Sequence, residues 1–303
     1  MPLSTPSDPS TPRTPDPEKP LRIPPWLRMK LPQGGALKAT RELLADLHVH
    51  TVCQGAKCPN IWECFSGHTA AFLVLGPQCT RNCAFCNITP GRPGAPDPDE
   101  PRRVAEAARR LKLGHVVVTS VTRDDLPDGG AAHFAAVTAA LRRVLPGSTV
   151  ELLIPDFQGD DAALRTVLDA GPDVLNHNLE TVRSLYRAVR PQADYDRSLR
   201  LLARARELGA RRVKSGLMVG LGETFSEIQE AIRDLARAGC HTVTVGQYMQ
   251  PSAAHPRVKN YLTPQEFFEL DACGRHHGIP QMFCAPRVRS SYHAKEVLRE
   301  NPA

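Results

Sequence analysis

The chain has 303 residues, of which 41 % are hydrophobic and 23 % charged, a composition that can bury a core and argues against disorder throughout. Its apolar stretch Ala70 to Gly76 is far shorter than the ~20 residues needed to cross a bilayer, so no membrane association is expected. The 38 Lys+Arg against 32 Asp+Glu leave a formal charge of +6, a modest excess that suits an acidic protein partner as well as nucleic acid and selects neither.

Residues 1–25 hold nine prolines among Ser, Thr and Asp, so 1–21 reads as a disordered Pro-rich tail. No basic-then-apolar leader opens it, and the expected location is the cytoplasm. Trp26, Leu27, Met29 and Leu31 then restore apolar character, and 22–69 reads as an N-terminal extension whose first part docks on the body. Within it, Asp46-Leu-His48-Val-His50-Thr51 has the D-x-H-x-H pattern that opens the metal site of some phosphoesterases. Two histidines two apart on a strand share a side and can share a metal. The later strands offer chiefly His177 and His241 as further ligands, however, so His48 and His50 read as ordinary polar residues.

From residue 70 to 262 strands and helices alternate. Apolar, β-branched runs recur at Ala71–Gly76, His115–Val121, Thr149–Ile154, Asp173–Leu179, Arg212–Leu221 and Thr242–Tyr248. Asp99 is placed to cap a helix with Val104, Ala107, Ala108 and Leu111 on one face. Thr224 and Glu227 form a capping box ahead of Ile228, Ala231, Ile232 and Leu235, and Gly239 closes that helix. Thr263-Pro264-Gln265-Glu266 opens another in the C-terminal region, 263–303. Six strands each followed by a helix imply a parallel sheet with helices outside. An open doubly wound sheet and an incomplete barrel both fit, with the chemistry at the carboxyl ends of the strands.

Nine cysteines is an odd count, and six of them fall between Cys53 and Cys86, which points to metal rather than to a disulfide scaffold. Cys79, Cys83 and Cys86 are spaced C-x3-C-x2-C just after the first strand of the alternation. Three thiolates on one tight loop can hold three irons of a 4Fe–4S cube and leave the fourth open. Zinc prefers four ligands from paired short spacings, and only one C-x2-C is present. Cys53, Cys58 and Cys64 form a second triplet, C-x4-C-x5-C, ahead of the alternation. Thiolates so close to the first set would repel one another and oxidise unless metal neutralised them, so a second cluster is expected. Cys240, Cys273 and Cys284 stand alone, two of them read in helical contexts, and have no assigned role. His276-His277 reads as an exposed helix end.

The Cys79–Cys86 loop resembles that of the radical S-adenosylmethionine (SAM) superfamily. With the Cys53–Cys64 segment, Thr119–Gly130, Leu153–Gly159, Asn176–Thr181, Lys214–Thr224, Val245–Pro251 and Arg289-Ser-Ser-Tyr-His-Ala294, the likeness is to the lipoyl synthase family and runs from Arg22 to Ala294. Phe65 and Asn87 depart from the usual family residues, and neither is a cluster ligand. The resemblance implies an incomplete (β/α)6 barrel of the radical SAM type, capped by its N- and C-terminal extensions. It implies two 4Fe–4S clusters and SAM, and sulfur insertion at carbons 6 and 8 of an octanoyl chain on a carrier lysine by way of 5′-deoxyadenosyl radicals. Cys79, Cys83 and Cys86 would hold the radical-generating cluster. Cys53, Cys58 and Cys64 would hold an auxiliary cluster that donates sulfide, with Ser290 or Ser291, preferably Ser291, as its oxygen ligand. Ser120, Thr122, Glu180, Gly220, Gly222 and Gln247 are the expected SAM contacts, Gln247 toward the adenine. Arg123-Asp124-Asp125 reads as a salt-bridged turn. The implied partners are an octanoylated carrier (a glycine-cleavage H protein or the acyltransferase subunit of a 2-oxo-acid dehydrogenase), a small electron donor such as flavodoxin or ferredoxin, and a cluster-assembly protein, with no nucleic acid. A biotin-type enzyme would not need the Cys53–Cys64 triplet, and a methylthiotransferase would carry a C-terminal RNA-binding barrel.

Overall fold

The computed structural model describes residues 21–28, 36–66 and 70–292. Most of the proline-rich tail, Met29, Leu31 and the segment after Tyr292 lie outside the described residues. The strands in chain order are β1 (His50–Thr51), β2 (Ala71–Val74), β3 (Gln78–Cys79), β4 (Thr89–Pro90), β5 (His115–Ser120), β6 (Thr149–Leu153), β7 (Val174–Asn176), β8 (Val213–Val219), β9 (Thr242–Gln247) and β10 (Gln281–Cys284). The helices are α1 (Ala36–Asp46), α2 (Val52–Gly55), α3 (Ile61–Ser66), α4 (Glu100–Arg110), α5 (Ala131–Val144), α6 (Asp161–Asp169), α7 (Tyr186–Val189), α8 (Tyr195–Glu207), α9 (Phe225–Arg237) and α10 (Pro264–His276).

One eight-stranded sheet runs β1-β2-β5-β6-β7-β8-β9-β10. All its pairings are parallel except β1 with β2, and the edge strands β1 and β10 do not pair, so the barrel stays open. Each of the six predicted strands is present, and each leads through a helix to the next. The sheet gains two strands that the sequence pattern did not single out. β1 is only two residues long, and β10 is a four-residue run within the region read as a C-terminal helix and segment. β10 nevertheless pairs with β9 over four residues, Gln281 with Thr242 through Cys284 with Val245.

The strand cores are buried nearly end to end, as a sheet covered on both faces requires. The helices supply the outer layer through one apolar stripe each: Val104, Ala107 and Ala108 on α4, and Ile228, Ala231, Ile232 and Leu235 on α9. Both expected capping boxes form, Thr224 with Glu227 and Thr263 with Glu266. Asp99 stands at the N-cap of α4 without making a side-chain cap; its own amide is held by Asp97 instead. Leu27 is buried and the Trp26 indole donates to Leu262 O at 3.2 Å, which docks the start of the N-terminal extension. Of the three isolated cysteines only Cys273 lies in a helix. Cys284 is in β10 and Cys240 precedes β9, because the apolar pattern around them is that of strand ends rather than of a helical stripe.

Candidate functional site

The loop after β2 carries Cys79, Cys83 and Cys86, and backbone groups from neighbouring strand ends fix its shape. The short β3–β4 pair holds the loop's base. Thr80 donates to Thr122 O through its amide and its hydroxyl, at 3.1 and 3.0 Å. Ala84 N donates to Val189 O at 2.9 Å. The Arg81 guanidinium, nearly all buried, grips Asp124 with two bonds of 2.7 and 2.8 Å and Asp156 with one of 2.6 Å. Amides aim at the sulfurs: Arg81 N and Thr122 N at Cys79 Sγ (3.4 and 3.3 Å), and Ile88 N at Cys86 Sγ (3.5 Å). Such N–H···S contacts stabilise thiolate over thiol and tune a bound cluster.

The second triplet is assembled by the N-terminal extension. Thr51 caps α2 by accepting from Gln54 N, which places Cys53 in its first turn. Cys58 N returns to Cys53 O at 3.0 Å, and Cys64 lies on α3, which Thr40 of α1 holds through Phe65 O at 3.0 Å. Phe65 is fully buried in the core. From the other end of the chain, Arg287 pairs with Glu63, Asn60 Nδ2 donates to Arg287 O at 2.7 Å, and the Tyr292 hydroxyl donates to Glu63 at 2.7 Å.

The two triplets share one end of the barrel. Asn87, directly after Cys86, donates to Gly55 O between Cys53 and Cys58 at 2.9 Å. The Glu180 carboxylate acts electrostatically on both Cys83 and Cys86 and is itself faced by Arg190 and Arg289, while Arg289 also faces Cys58. Burial pushes the Cys53 thiol up to about 11, Cys58 adding to it, and the Cys64 thiol up to about 12, Cys53 and Cys58 adding to it. Burial likewise takes Cys86 up to about 12, with Cys83 and Cys79 behind it. Burial thus favours the protonated thiol at Cys53, Cys64 and Cys86, whereas iron binding would exchange those protons for metal.

Among the described residues no three His, Cys, Asp or Glu side chains converge on a single ion. A zinc site, with donors ~2.3 Å from one centre, does not fit either triplet. A cube of four irons takes one thiolate per iron and so accepts donors spread more widely than a single ion does. The same absence removes the phosphoesterase reading: His48 and His50 are exposed on the outside of the N-terminal extension.

The expected SAM contacts divide. The Ser120 hydroxyl, at the end of β5, is buried without a hydrogen-bond partner, which marks a place for a polar ligand. Thr122 follows it and gives its amide to Cys79 Sγ. Glu180 takes a left-handed backbone (φ 72°), and burial raises its carboxyl above the usual range while Arg190 opposes the shift. Gly220 has φ 101°, and a Cβ there would overlap the Gln247 amide and Asn260 O. Gly222 has φ 120° and is exposed. Gln247 is engaged in the fold: its fully buried amide donates to Val219 O and Asn260 O, both at 2.9 Å, and accepts from Leu262 N at 2.9 Å, so it clamps the chain after β9.

Arg190 and Arg81 were not singled out in the sequence. Arg190 donates to Asn178 O at 3.1 Å and to the Tyr186 hydroxyl at 2.7 Å, with its charge beside Cys83 and Glu180. Arg123-Asp124-Asp125 is a salt-bridged turn through Arg123 and Asp125, but Asp124 is spent on Arg81.

Residues 73–235 match the Radical SAM superfamily, and residues 10–58 match the N-terminal domain of lipoyl synthase of that family. The chain is 64 % identical over 280 residues to a lipoyl synthase of Oleidesulfovibrio alaskensis, covering 92 % of this chain and 96 % of that protein. It is 60 % identical over 297 residues to one of Nitratidesulfovibrio vulgaris, covering 96 % and 99 %. Among solved structures, the [FeFe]-hydrogenase maturase HydG superposes with a TM-score of 0.57 at 17 % identity, covering 86 % of this chain and 66 % of that one. Methylornithine synthase superposes with 0.52 at 16 %, covering 84 % and 83 %. At these identities the two structures speak to the fold alone.

Proposed function

The chain belongs to the lipoyl synthases of the radical SAM superfamily, and from that premise we propose how its residues divide the reaction. The enzyme inserts two sulfurs, at carbons 6 and 8, into an octanoyl chain held on a lipoyl carrier protein. It uses SAM and two 4Fe–4S clusters, which supply 5′-deoxyadenosyl radicals to break unactivated C–H bonds and sulfide to replace the hydrogens.

Cys79, Cys83 and Cys86 hold the radical-generating cluster, on a loop kept in shape by Arg81, Thr80 and the sulfur-directed amides. Ser120, Thr122 and Glu180 contact SAM, Gly220 and Gly222 leave backbone open to its nucleoside, and Arg190 holds its carboxylate beside Cys83. Cys53, Cys58 and Cys64 hold the sulfide-donating cluster, and Ser291 supplies its oxygen ligand. A hard alkoxide is a poorer match to iron–sulfur than thiolate, which suits an iron that must be given up. The observation that supports this division is the meeting of the two triplets at one end of the barrel, where Asn87 donates to Gly55 O and the Arg289 charge acts on both Cys58 and Glu180. An octanoyl chain entering there is within reach of both.

Among the described residues no helix is long and apolar enough to cross a membrane. The finer proposals are a cytoplasmic location, an H protein or a 2-oxo-acid dehydrogenase acyltransferase subunit as carrier, flavodoxin or ferredoxin as electron source, and an assembly protein that restores the auxiliary cluster. The test is iron and sulfide per chain after anaerobic reconstitution, with mass spectrometry of an octanoyl-lysine peptide given SAM and reductant. About eight irons and eight sulfides with a dithiolated peptide is the expected result. About four irons with an unchanged peptide would overturn the role given to Cys53, Cys58 and Cys64.

A further inference from the structure

The C-terminal segment 287–292 does not lie on the surface. Its middle enters the barrel along β7, β8 and β9. Ser290 Oγ accepts from Asn176 Nδ2 at 2.7 Å and donates to Asn178 Oδ1 at 3.0 Å. Asn176 is itself bound to Glu151 at 2.7 Å, and both Glu151 oxygens take the Lys214 ammonium, at 3.0 and 3.1 Å. Asn176, Glu151 and Lys214 are at most 1 % exposed, so Ser290 closes a polar chain that runs into the barrel interior. Two glycines make the room. A Cβ on Gly246 would overlap the Val288 carbonyl, and one on Gly216 would lie 2.9 Å from Asn178 Oδ1. The segment's flanks are held separately, Arg287 and Tyr292 both by Glu63. Ser291 is the contrast: among the described residues nothing hydrogen-bonds its hydroxyl.

We infer that the two adjacent serines have divided roles, Ser290 being a positioning residue that latches the segment to Asn176 and Asn178 so that Ser291 is presented to the auxiliary cluster. The inference rests on the reading of Ser291 as a ligand. A ligand meant to be released cannot itself supply the bonds that hold its segment. A neighbour with two neutral hydrogen bonds in a water-poor interior can. Residues 289–292 form a turn closed by Tyr292 N donating to Arg289 O at 3.0 Å, which lets the two central serines point in different directions, Ser290 toward Asn176 and Asn178.

The experiment uses the full chain in two forms. In cluster-free protein, trypsin reports the latch directly. Ser290→Ala is expected to speed cleavage after Arg287 by about tenfold, Ser290→Thr to restore protection, and Ser291→Ala to leave it unchanged. In protein carrying Cys79→Ala, Cys83→Ala and Cys86→Ala, Mössbauer spectra read the auxiliary cluster alone. Ser291→Cys is expected to give an all-thiolate spectrum. Ser290→Ala is expected to lose the oxygen-ligated iron, and Ser290→Thr to recover it. Unchanged protection and an unchanged spectrum in Ser290→Ala would overturn the latch while leaving the ligand reading intact. A spectrum unaffected by any change at Ser291 would overturn the ligand reading. An all-thiolate spectrum from Ser290→Cys would make Ser290 the ligand and overturn the division of roles.

Discussion

His177 follows β7 and does no chemistry, yet it sets how the barrel responds to acid. Its ring is 1 % exposed, with Nδ1 donating to Ile154 O at 2.8 Å and Nε2 against the Ser198 hydroxyl at 3.1 Å. Burial first, and then the Arg190 charge, push its pKa down to about 4. Below pH ~6.5 the unfolded chain binds a proton that the folded ring refuses. Stability therefore falls as pH drops from ~6.5 to ~4, by roughly 3 kcal/mol, and this contribution levels off beneath that window. Asp156, whose carboxyl Arg81 and Arg197 hold far below the carboxylate range despite its burial, loses its contribution only at lower pH. Urea unfolding at a series of pH values should show the slope in wild type and a flatter one in His177→Gln. Equal slopes would assign the window to another group. At this scale the two cysteine triplets stood out by their spacing alone, and the fold adds that both lie near one end of the barrel. Arg190 and the bonds that Ser290 makes to Asn176 and Asn178 were not legible, because each meets its partner only through the fold. Gln247 is a polar residue at a strand end whose three bonds to backbone show only in the fold.

Apart from the short β3–β4 pair, the stretch between β2 and α4 has no regular structure, and a single side chain gives it rigidity. Arg81 joins it to the ends of β5 and β6 through Asp124 and Asp156, and Arg197 of α8 adds a second cation on Asp156. Phe157 and Gln158, just after Asp156, both adopt left-handed backbone (φ 44° and 53°), and Gln158 Nε2 donates to Asp124 at 3.2 Å. That strained turn is held by the same network, since the Gln158 amide also donates to Asp156. Arg81→Gln would leave a fully buried carboxylate short of its principal partner, a loss of about 3 kcal/mol. The loop that presents Cys79 and Cys83 would loosen with it. The expected outcome is a lower melting temperature, with iron per chain falling from about eight toward about four on reconstitution. Full iron in a destabilised variant would separate the fold from the cluster. The helix caps and the six inner strands were legible because they follow local rules of spacing and capping. β1 and β10 were not. A strand of two or four residues carries too little periodicity of its own and exists because β2 and β9 offer it an open edge.

Across the whole molecule, the barrel brings opposite ends of the chain to one mouth. Asn60 and Arg287, which share a hydrogen bond, stand 227 positions apart, and Glu63 and Tyr292 stand 229 apart. The radical-generating cysteines belong to the barrel, whereas the auxiliary set hangs on the N-terminal extension and is braced by the C-terminal segment. Their supports are therefore separable, and the hydrogen bond from Asn87 to Gly55 O links them directly. Removing Cys53, Cys58 and Cys64 together should leave reductive SAM cleavage and hydrogen abstraction from the octanoyl chain intact and stop sulfur insertion. Removing Cys79, Cys83 and Cys86 should abolish 5′-deoxyadenosine formation while the auxiliary set still takes up about four irons. Both are read by quantifying 5′-deoxyadenosine, iron and thiolated peptide in the same reactions. Thiolated peptide from the first variant would place the sulfur source outside this chain. Loss of SAM cleavage in that variant would mean that the Asn87 link, and not the barrel alone, holds the radical site in register.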